Sequence, residues 1–150
     1  MDNELIGVVS ILKDLMKSNI YDVEDIIIVA GSCLKNMQPV GFKKLMNISN
    51  SIYEVCLEET HVNMAITKIG GMLRTKKISK IIFASVDKSP HCVQLHYIQD
   101  ELRKMMDLSN IEIENYVVVD GELIKISPQT ITLSKNLKEL ANLEIDSVSF

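Results

Sequence analysis

Hydrophobic residues recur at three- and four-residue steps near the start of the chain, a spacing that predicts an amphipathic first helix between Leu5 and Met16. A second series with the same spacing occupies residues 42–56 and predicts another helix, with Cys56 on its inward face. The first series consists of Leu5, Val8, Val9, Leu12, Leu15 and Met16, and the second of Phe42, Leu45, Met46, Ser49, Ile52, Tyr53 and Cys56.

Residues 26–30, an uninterrupted apolar run, and the mostly apolar residues 80–86 each predict a strand. Neither run alternates with polar residues, which is typical of parallel strands that are buried on both faces. The first run ends in Gly-Ser, and a loop that contains Cys33 and Pro39 is expected after it. These strands predict the centre of a parallel sheet.

Two further helices are predicted, at residues 63–76 and 90–106. Alternating apolar residues near the start of the first segment also fit a strand, but Ile69 and Met72 favour the helix. The second helix has a clear start, because Ser89 can cap the first amides and Pro90 suits the first helical position.

An antiparallel hairpin is predicted at residues 111–126, where Asp120-Gly121 supplies the positive φ angles of a type I′ turn. A short apolar run around Ile131 and Leu133 and a helix over 135–143, capped by Ser134, are expected beyond it. Strands alternating with helices predict one α/β domain over residues 1–150, with residues 129–150 as a C-terminal extension. Its predicted fold is a three-layer, Rossmann-like sandwich whose sheet is mostly parallel and ends in the hairpin.

Charge and composition limit the function classes. The formal net charge of -4 offers no basic surface for a phosphate backbone, so nucleic acid is not expected as a partner. No apolar stretch is long enough to span a bilayer, and no secretory signal pattern begins the chain. Three widely spaced cysteines suit a reducing compartment better than a disulfide framework, so a cytoplasmic location is expected. The hairpin leaves an edge strand that must be covered or blunted, which is compatible with a homo-oligomer.

The candidate chemistry is concentrated in Ser-Pro-His-Cys-Val-Gln-Leu-His, residues 89–96, directly after the second buried strand. Ligands in open α/β sheets usually bind at the carboxyl ends of strands, where a helix begins. On an α-helix the four-residue spacing of Cys92 and His96 stacks their side chains on adjacent turns, near enough to share a proton or a metal. His91 falls on the apolar side of the same helix, which favours a structural role.

Cys33 is the predicted partner of Cys92, because each follows a buried strand and neighbouring parallel strands end at the same edge. Thiolate and imidazole ligands suit zinc, and a catalytic zinc site takes three protein ligands. The predicted metal ligands are therefore Cys33 and Cys92 with His91 or His96. A metal-free variant uses Cys92 as nucleophile and His96 as its base.

Structural interpretations stay open for each of these residues. A cysteine after a buried strand is often a small packed residue. A histidine in this segment fits a structural role, with its ring hydrogen-bonded inside the protein, as well as it fits a metal or catalytic site. The sequence contains no glycine-rich phosphate loop, so no nucleotide is expected. Three cysteines are also too few for the usual four-thiolate iron-sulfur cluster.

The arrangement resembles the β-class carbonic anhydrases, in which a strand ends in a zinc-binding cysteine within Cys-x-Asp-x-Arg and a later segment carries a His-x-x-Cys pair. Residues 26–33 are similar to the first element and residues 72–92 to the second. The resemblance implies a zinc site in an α/β domain. Lys35 and Met37 stand at the family's Asp and Arg positions, and Ser89 stands at its liganding histidine.

The string at residues 89–96 also resembles small uncharacterised bacterial proteins, some of them associated with ferredoxin-type domains. This resemblance implies a module that works beside iron-sulfur redox proteins. The sequence therefore supports two alternative hypotheses. One is a zinc or reactive-thiol site around Cys92, and the other is a non-catalytic module that binds a small molecule or a protein partner.

Overall fold

Six strands form one sheet in the part of the chain that the structure, a computed structural model, describes, which is residues 12–143. The strands are β1 (Leu12–Asp14), β2 (Ile26–Gly31), β3 (Ile52–Val55), β4 (Lys80–Val86), β5 (Glu112–Val119) and β6 (Glu122–Lys125). The helices are α1 (Leu34–Met37), α2 (Pro39–Met46), α3 (Val62–Arg74), α4 (Ile98–Met105), α5 (Pro128–Ser134) and α6 (Leu137–Asn142). Two 3₁₀ segments also occur in this range, at Leu15–Lys17 and Cys92–Tyr97.

The strand order across the sheet is β1-β3-β2-β4-β5-β6, and every neighbouring pair is parallel except β5 with β6. From β2 the chain passes to β3 on one side, and from β3 it crosses to β4 on the other side of β2. The connections therefore diverge between β2 and β4. Open α/β sheets bind ligands at such a switch point, beyond the carboxyl ends of the strands.

Helices cover both faces of the sheet, which confirms the predicted three-layer α/β architecture with a mostly parallel sheet. Successive residues of β4 face opposite layers, so Ile81 and Phe83 join one apolar cluster while Ile82 and Ala84 join the other. Residues of α3 and α4 complete the first cluster, and residues of α1 and α2 complete the second. None of the described helices is long and apolar enough to cross a membrane.

Several predicted elements are confirmed. The strand predicted at 80–86 has those bounds, the strand at 26–30 extends by one residue to Gly31, and α3 lies where a helix was expected at 63–76. The hairpin turn has the positive φ angles of the predicted type, 51° at Asp120 and 77° at Gly121. These segments combine a clear apolar pattern with clear boundary residues.

The predicted first helix is wrong where the structure describes it. Residues before Leu12 lie outside the described range, but Leu12–Asp14 forms the edge strand β1, which pairs with β3. The Asp14 carboxylate then accepts a hydrogen bond from the backbone N–H of Met16 at 3.0 Å and starts a single 3₁₀ turn. Leu15 is fully buried in this arrangement, so its apolar position reflects packing under the sheet edge.

The helix predicted over residues 42–56 is also wrong in its second half. Helix α2 ends at Met46, and a polar turn follows in which the Ser49 hydroxyl donates to the Ile26 carbonyl at 2.6 Å. The chain then forms β3, which lies between β1 and β2. Cys56 therefore follows a strand and is only half-buried, instead of lying on the inward face of a helix.

Smaller corrections concern the connections and the C-terminal part. The loop expected around Cys33 and Pro39 contains the helices α1 and α2. The apolar run around Ile131 belongs to helix α5, and the last described helix is α6, which the Asn136 side chain caps in place of Ser134. The helix expected over 90–106 consists of the 3₁₀ segment Cys92–Tyr97 followed by α4.

Candidate functional site

The sulfur atoms of Cys33 and Cys92 lie 3.5 Å apart, within hydrogen-bond distance for thiols. Cys33 follows β2 and Cys92 follows β4, so the two residues meet at the switch point of the sheet. Cys92 is 7% exposed and Cys33 is half-buried. We call these two residues the cysteine pair. The predicted meeting of Cys33 with Cys92 is thus seen in the structure.

Gly31, the last residue of β2, lies directly against both sulfurs. A Cβ atom at this position would be 2.4 Å from the Cys92 sulfur and 3.9 Å from the Cys33 sulfur. Carbon and sulfur atoms do not approach to 2.4 Å without bonding, so any side chain here would displace Cys92. The missing side chain of Gly31 therefore leaves the space that the Cys92 sulfur occupies.

The pKa of the Cys33 thiol is raised from 9.0 to about 11. Burial contributes most, followed by the hydrogen bond with Cys92 and the charge of a Cys92 thiolate. A weaker contribution comes from the charge of Cys56. Cys33 is therefore a thiol that holds its proton more tightly than an exposed cysteine does.

The backbone that carries Cys92 is a 3₁₀ segment and not the α-helix that the sequence predicts. The Ser89 hydroxyl accepts a hydrogen bond from the Cys92 backbone N–H at 3.2 Å, as expected for a cap. The segment begins at Cys92, after His91, so Pro90 does not occupy the first helical position that the sequence predicts. A 3₁₀ helix has about three residues per turn, so successive side chains are about 120° apart. Four residues then place His96 about 120° away from Cys92, whereas an α-helix leaves about 40° between them.

His96 is buried beneath this segment, and both of its ring nitrogens have partners. Nε2 lies 2.7 Å from the Ser85 hydroxyl, and Nδ1 lies 2.9 Å from Oδ1 of Asn115. Gln99 Nε2 also donates to Oδ1 of Asn115 at 3.0 Å, which identifies that oxygen as an acceptor. His96 Nδ1–H therefore donates to Asn115, and Nε2 accepts from Ser85. We call Ser85, His96, Gln99 and Asn115 the His96 network.

The His96 network resembles a catalytic triad in that it joins a hydroxyl, an imidazole and a side-chain oxygen, but its burial leaves a substrate no access. Ser85 and His96 are 1% exposed and Asn115 is 2% exposed. Catalytic triads need an open position at the nucleophile. A substrate therefore has no access to the network in this structure. The ring nitrogens of His96 bond to Ser85 and Asn115 instead of to Cys92, the partner that the sequence predicts.

We expect the protein to lose stability as the pH falls below about 6.5 because of His96. Burial lowers the pKa of His96 from its usual 6.5, although the bond with Asn115 acts in the opposite direction. As the pH falls, His96 therefore takes up a proton in the unfolded chain before it does so in the folded chain. The stability that neutral His96 contributes is fully present above pH 6.5 and is lost as the pH falls below that value. One proton gives a slope of up to about 1.4 kcal/mol per pH unit.

Urea unfolding at about pH 7.5 and about pH 5.5 measures this contribution, with His96→Gln as the control. The wild type should lose more free energy of unfolding between the two values than the variant does. Equal losses in both proteins would show that His96 is not the group responsible.

His91 lies at the surface, contrary to the expected apolar side. Its side chain is 46% exposed, and Nδ1 is 3.9 Å from a carboxylate oxygen of Glu58. The residue immediately precedes the 3₁₀ segment and directs its ring towards the turn after β3. The structure therefore brings Cys33 and Cys92 together but turns both histidines towards other partners.

Cys56 is a residue that the sequence analysis missed as part of this edge. It follows β3 directly, at the same edge as Cys33 and Cys92, and lines a cleft of about 220 Å³ with Ser32 and Glu54. Burial raises the pKa of Glu54, which Lys35 partly offsets. Recognition of the short run Ile52–Val55 as a strand would have placed Cys56 here.

The predicted zinc ligands can be compared with this arrangement. A catalytic zinc ion needs three protein ligands, and the cysteine pair supplies two. Among residues 12–143, no group of three or more His, Cys, Asp or Glu residues is arranged to hold a metal ion. The described residues therefore supply two of the predicted ligands and do not place a third beside them.

Comparison with known proteins agrees with the fold. The model of a family described as "Rossmann-like domain" matches residues 22–147. Comparison with curated proteins and with solved structures gives no match. The family match does not extend to the finer resemblances to β-class carbonic anhydrases or to ferredoxin-associated proteins, which stay predictions.

Proposed function

We propose, for a chain that belongs to the Rossmann-like domain family, that the cysteine pair is a thiol–disulfide exchange site. The observation that carries this proposal is the 3.5 Å separation of the two sulfurs at the switch point between β2 and β4. A dithiol that closes to a disulfide needs two convergent sulfurs and no further ligand. The described residues supply this arrangement.

The proposed reaction starts with Cys92. Its thiolate attacks one sulfur of an external disulfide, which forms a mixed disulfide and releases the first thiolate, and this thiolate takes up a proton from solvent. The Cys33 sulfur then attacks the Cys92 sulfur, forms the Cys33–Cys92 disulfide and releases the second thiol, which takes up the proton of Cys33. Both cysteines are oxidised by two electrons in total, and the external disulfide is reduced to two thiols.

The raised pKa of Cys33 fits this order of events. Two of its causes are the hydrogen bond with Cys92 and the charge of a Cys92 thiolate. A mixed disulfide at Cys92 carries neither the charge nor the thiol hydrogen bond, so Cys33 ionises more easily at the step where it must attack. Cys33 is also the more exposed cysteine of the pair.

A kinetic trap tests the proposal. Oxidised glutathione is added to the reduced wild type, and the reaction is stopped with acid and mapped by peptide mass spectrometry. The wild type should give a Cys33–Cys92 disulfide, while Cys33→Ser should accumulate glutathione on Cys92. Cys56→Ser is the matched control and should behave as the wild type. A stable glutathione adduct on Cys92 in the wild type would contradict the exchange mechanism.

Zinc binding at the same pair is a competing proposal, because two convergent thiolates are ligands that zinc prefers. It requires His91 or His96 to leave its present partner, Glu58 or Ser85 with Asn115, and join the sulfurs. Metal analysis of untagged protein, followed by zinc addition under reducing conditions, tests it. One zinc per chain that protects both Cys33 and Cys92 from alkylation would favour the metal site over the exchange site.

The non-catalytic module, which binds a partner and works beside iron-sulfur proteins, is the second competing proposal. It predicts that Cys92→Ser leaves partner binding unchanged. The thiol–disulfide proposal predicts that the same variant loses all exchange. Parallel assays of binding and exchange on this variant distinguish the two functions.

A further inference from the structure

We infer that His96 is a positioning residue of the cysteine pair: through Ser85 and Asn115 it fixes the segment that carries Cys92, and so sets the distance between the two sulfurs. The inference rests on the proposed exchange function, because the distance matters only if the sulfurs react with each other. It assigns a role to a buried histidine that the exchange mechanism does not use.

The segment Cys92–Tyr97 needs support from outside itself. 3₁₀ helices have poor hydrogen-bond geometry and eclipsed side chains, and runs longer than three or four residues are uncommon. This run has six residues and continues directly into α4. Cys92 is its first residue, so the position of the sulfur depends on how the whole segment lies on the sheet.

Apolar packing attaches the segment to the sheet without fixing its rotation. Leu95 is fully buried in the cluster beneath α3 and α4. Burial of apolar area is favourable but not directional, and a small rotation of the segment about its axis costs little of it. Any such rotation moves the Cys92 sulfur along the edge of the sheet and away from Cys33.

The His96 network restrains the rotation of this segment on the sheet. It joins the segment to two strands at once, to β4 through Ser85 and to β5 through Asn115. Gln99 closes the network, because its amide donates both to the His96 carbonyl at 2.9 Å and to Oδ1 of Asn115 at 3.0 Å. Hydrogen bonds depend on angle as well as distance, so two strand contacts fix the rotation that apolar packing leaves free.

The energetics also favour a positional role over a purely stabilising one. An apolar side chain at position 96 would need no partners, whereas a buried imidazole is costly unless both nitrogens are bonded. Buried polar networks in which every group is bonded rigidify the core and specify one packing arrangement. The Cys92 sulfur lies in the space that the missing side chain of Gly31 leaves, so a shift of the segment moves the sulfur out of this space.

The test measures the equilibrium between dithiol and disulfide in glutathione buffers for the wild type, His96→Leu, Ser85→Ala and Ser85→Thr. Departures from ideal disulfide geometry store strain and make the bond more reducible, so we expect the equilibrium constant for disulfide formation to fall roughly 10- to 100-fold in His96→Leu. Ser85→Ala should show a smaller fall in the same direction. Ser85→Thr keeps the hydroxyl and should restore the wild-type value.

Ile69→Ala is the control for lost stability, since Ile69 lies in α3 within the same apolar layer and outside the network. It should lower the free energy of unfolding and leave the equilibrium constant of the folded protein unchanged. Ser85→Ala removes only one hydroxyl and keeps the test valid if His96→Leu does not fold. A wild type that forms no disulfide would overturn the proposed function. A wild type that forms it, with Ser85→Ala and His96→Leu equal to it, would overturn the positioning role alone.

Discussion

Gly31→Ala is expected to suppress the Cys33–Cys92 disulfide while the protein stays folded. The added Cβ would lie 2.4 Å from the Cys92 sulfur, and a cysteine side chain relieves this contact by rotating about its Cα–Cβ bond. The rotation moves the sulfur away from Cys33. Because the displaced sulfur can form the bond only with strain, we expect the equilibrium constant for the Cys33–Cys92 disulfide to fall roughly 10- to 100-fold.

Gly41→Ala is the matched control for this variant. Its added Cβ would lie 2.2 Å from Cγ1 of Val118, a contact at least as close but with an apolar side chain. Overpacking of this kind costs about 1–3 kcal/mol of stability, and it should leave the cysteine pair unchanged. Free-thiol titration in glutathione buffer, with urea unfolding of both variants, separates the two effects. Equal disulfide formation in Gly31→Ala and the wild type would show that Gly31 does not set the position of Cys92.

Cys92→Ala is expected to lower the pKa of Cys33 from about 11 towards its usual 9.0. The substitution removes the hydrogen bond and the charge of Cys92, which are the second and third causes of the shift. Burial is the first cause and remains, so the return should be partial. Each pKa unit changes the thiolate fraction tenfold, so Cys33 should carry roughly ten times more thiolate at neutral pH.

The alkylation rate of Cys33 as a function of pH, followed by peptide mapping, measures this change. The midpoint of the profile reports the pKa of Cys33, independently of any gain in access to the reagent. Cys56→Ala is the control, because the charge of Cys56 is the weakest raising cause and its removal should shift the midpoint less. A midpoint that moves more in Cys56→Ala than in Cys92→Ala would contradict the hydrogen-bonded pair.

The meeting of Cys33 with Cys92 follows from information that the sequence contains. Both residues come after long apolar runs with clear ends, and parallel strands in one sheet end at the same edge. The prediction required only that β2 and β4 be neighbours, which the observed strand order confirms. Strong local patterns and one rule of sheet topology were sufficient here.

The position of His96 could not be predicted in the same way. The difference between an α-helix and a 3₁₀ helix is about 20° per residue, which no apolar pattern over six residues resolves. Over the four residues from Cys92 to His96 that difference grows to about 80°. This moves the imidazole from the side of the thiol to the face of the sheet, and the predicted thiol–imidazole pair is replaced by the His96 network.

Strand β3 and Cys56 were missed for another reason. Ile52–Val55 is only four residues long, and its apolar positions coincide with the helical series that begins at Phe42. The polar residues between Met46 and Ile52 were the available signal of a turn. Pairing with β1 and β2 stabilises these residues as a strand and not as a helix, and such long-range pairing is not visible in a local pattern.

The central claim is that Cys33 and Cys92 react with each other, and the most direct test is the disulfide map of the wild-type protein. The protein is equilibrated with excess oxidised glutathione, its remaining thiols are alkylated in acid, and its peptides are identified by mass spectrometry. The exchange mechanism predicts one Cys33–Cys92 disulfide, with Cys56 alkylated as a free thiol. Cys33 and Cys92 both recovered as free thiols, or joined to glutathione or Cys56 instead of to each other, would contradict it.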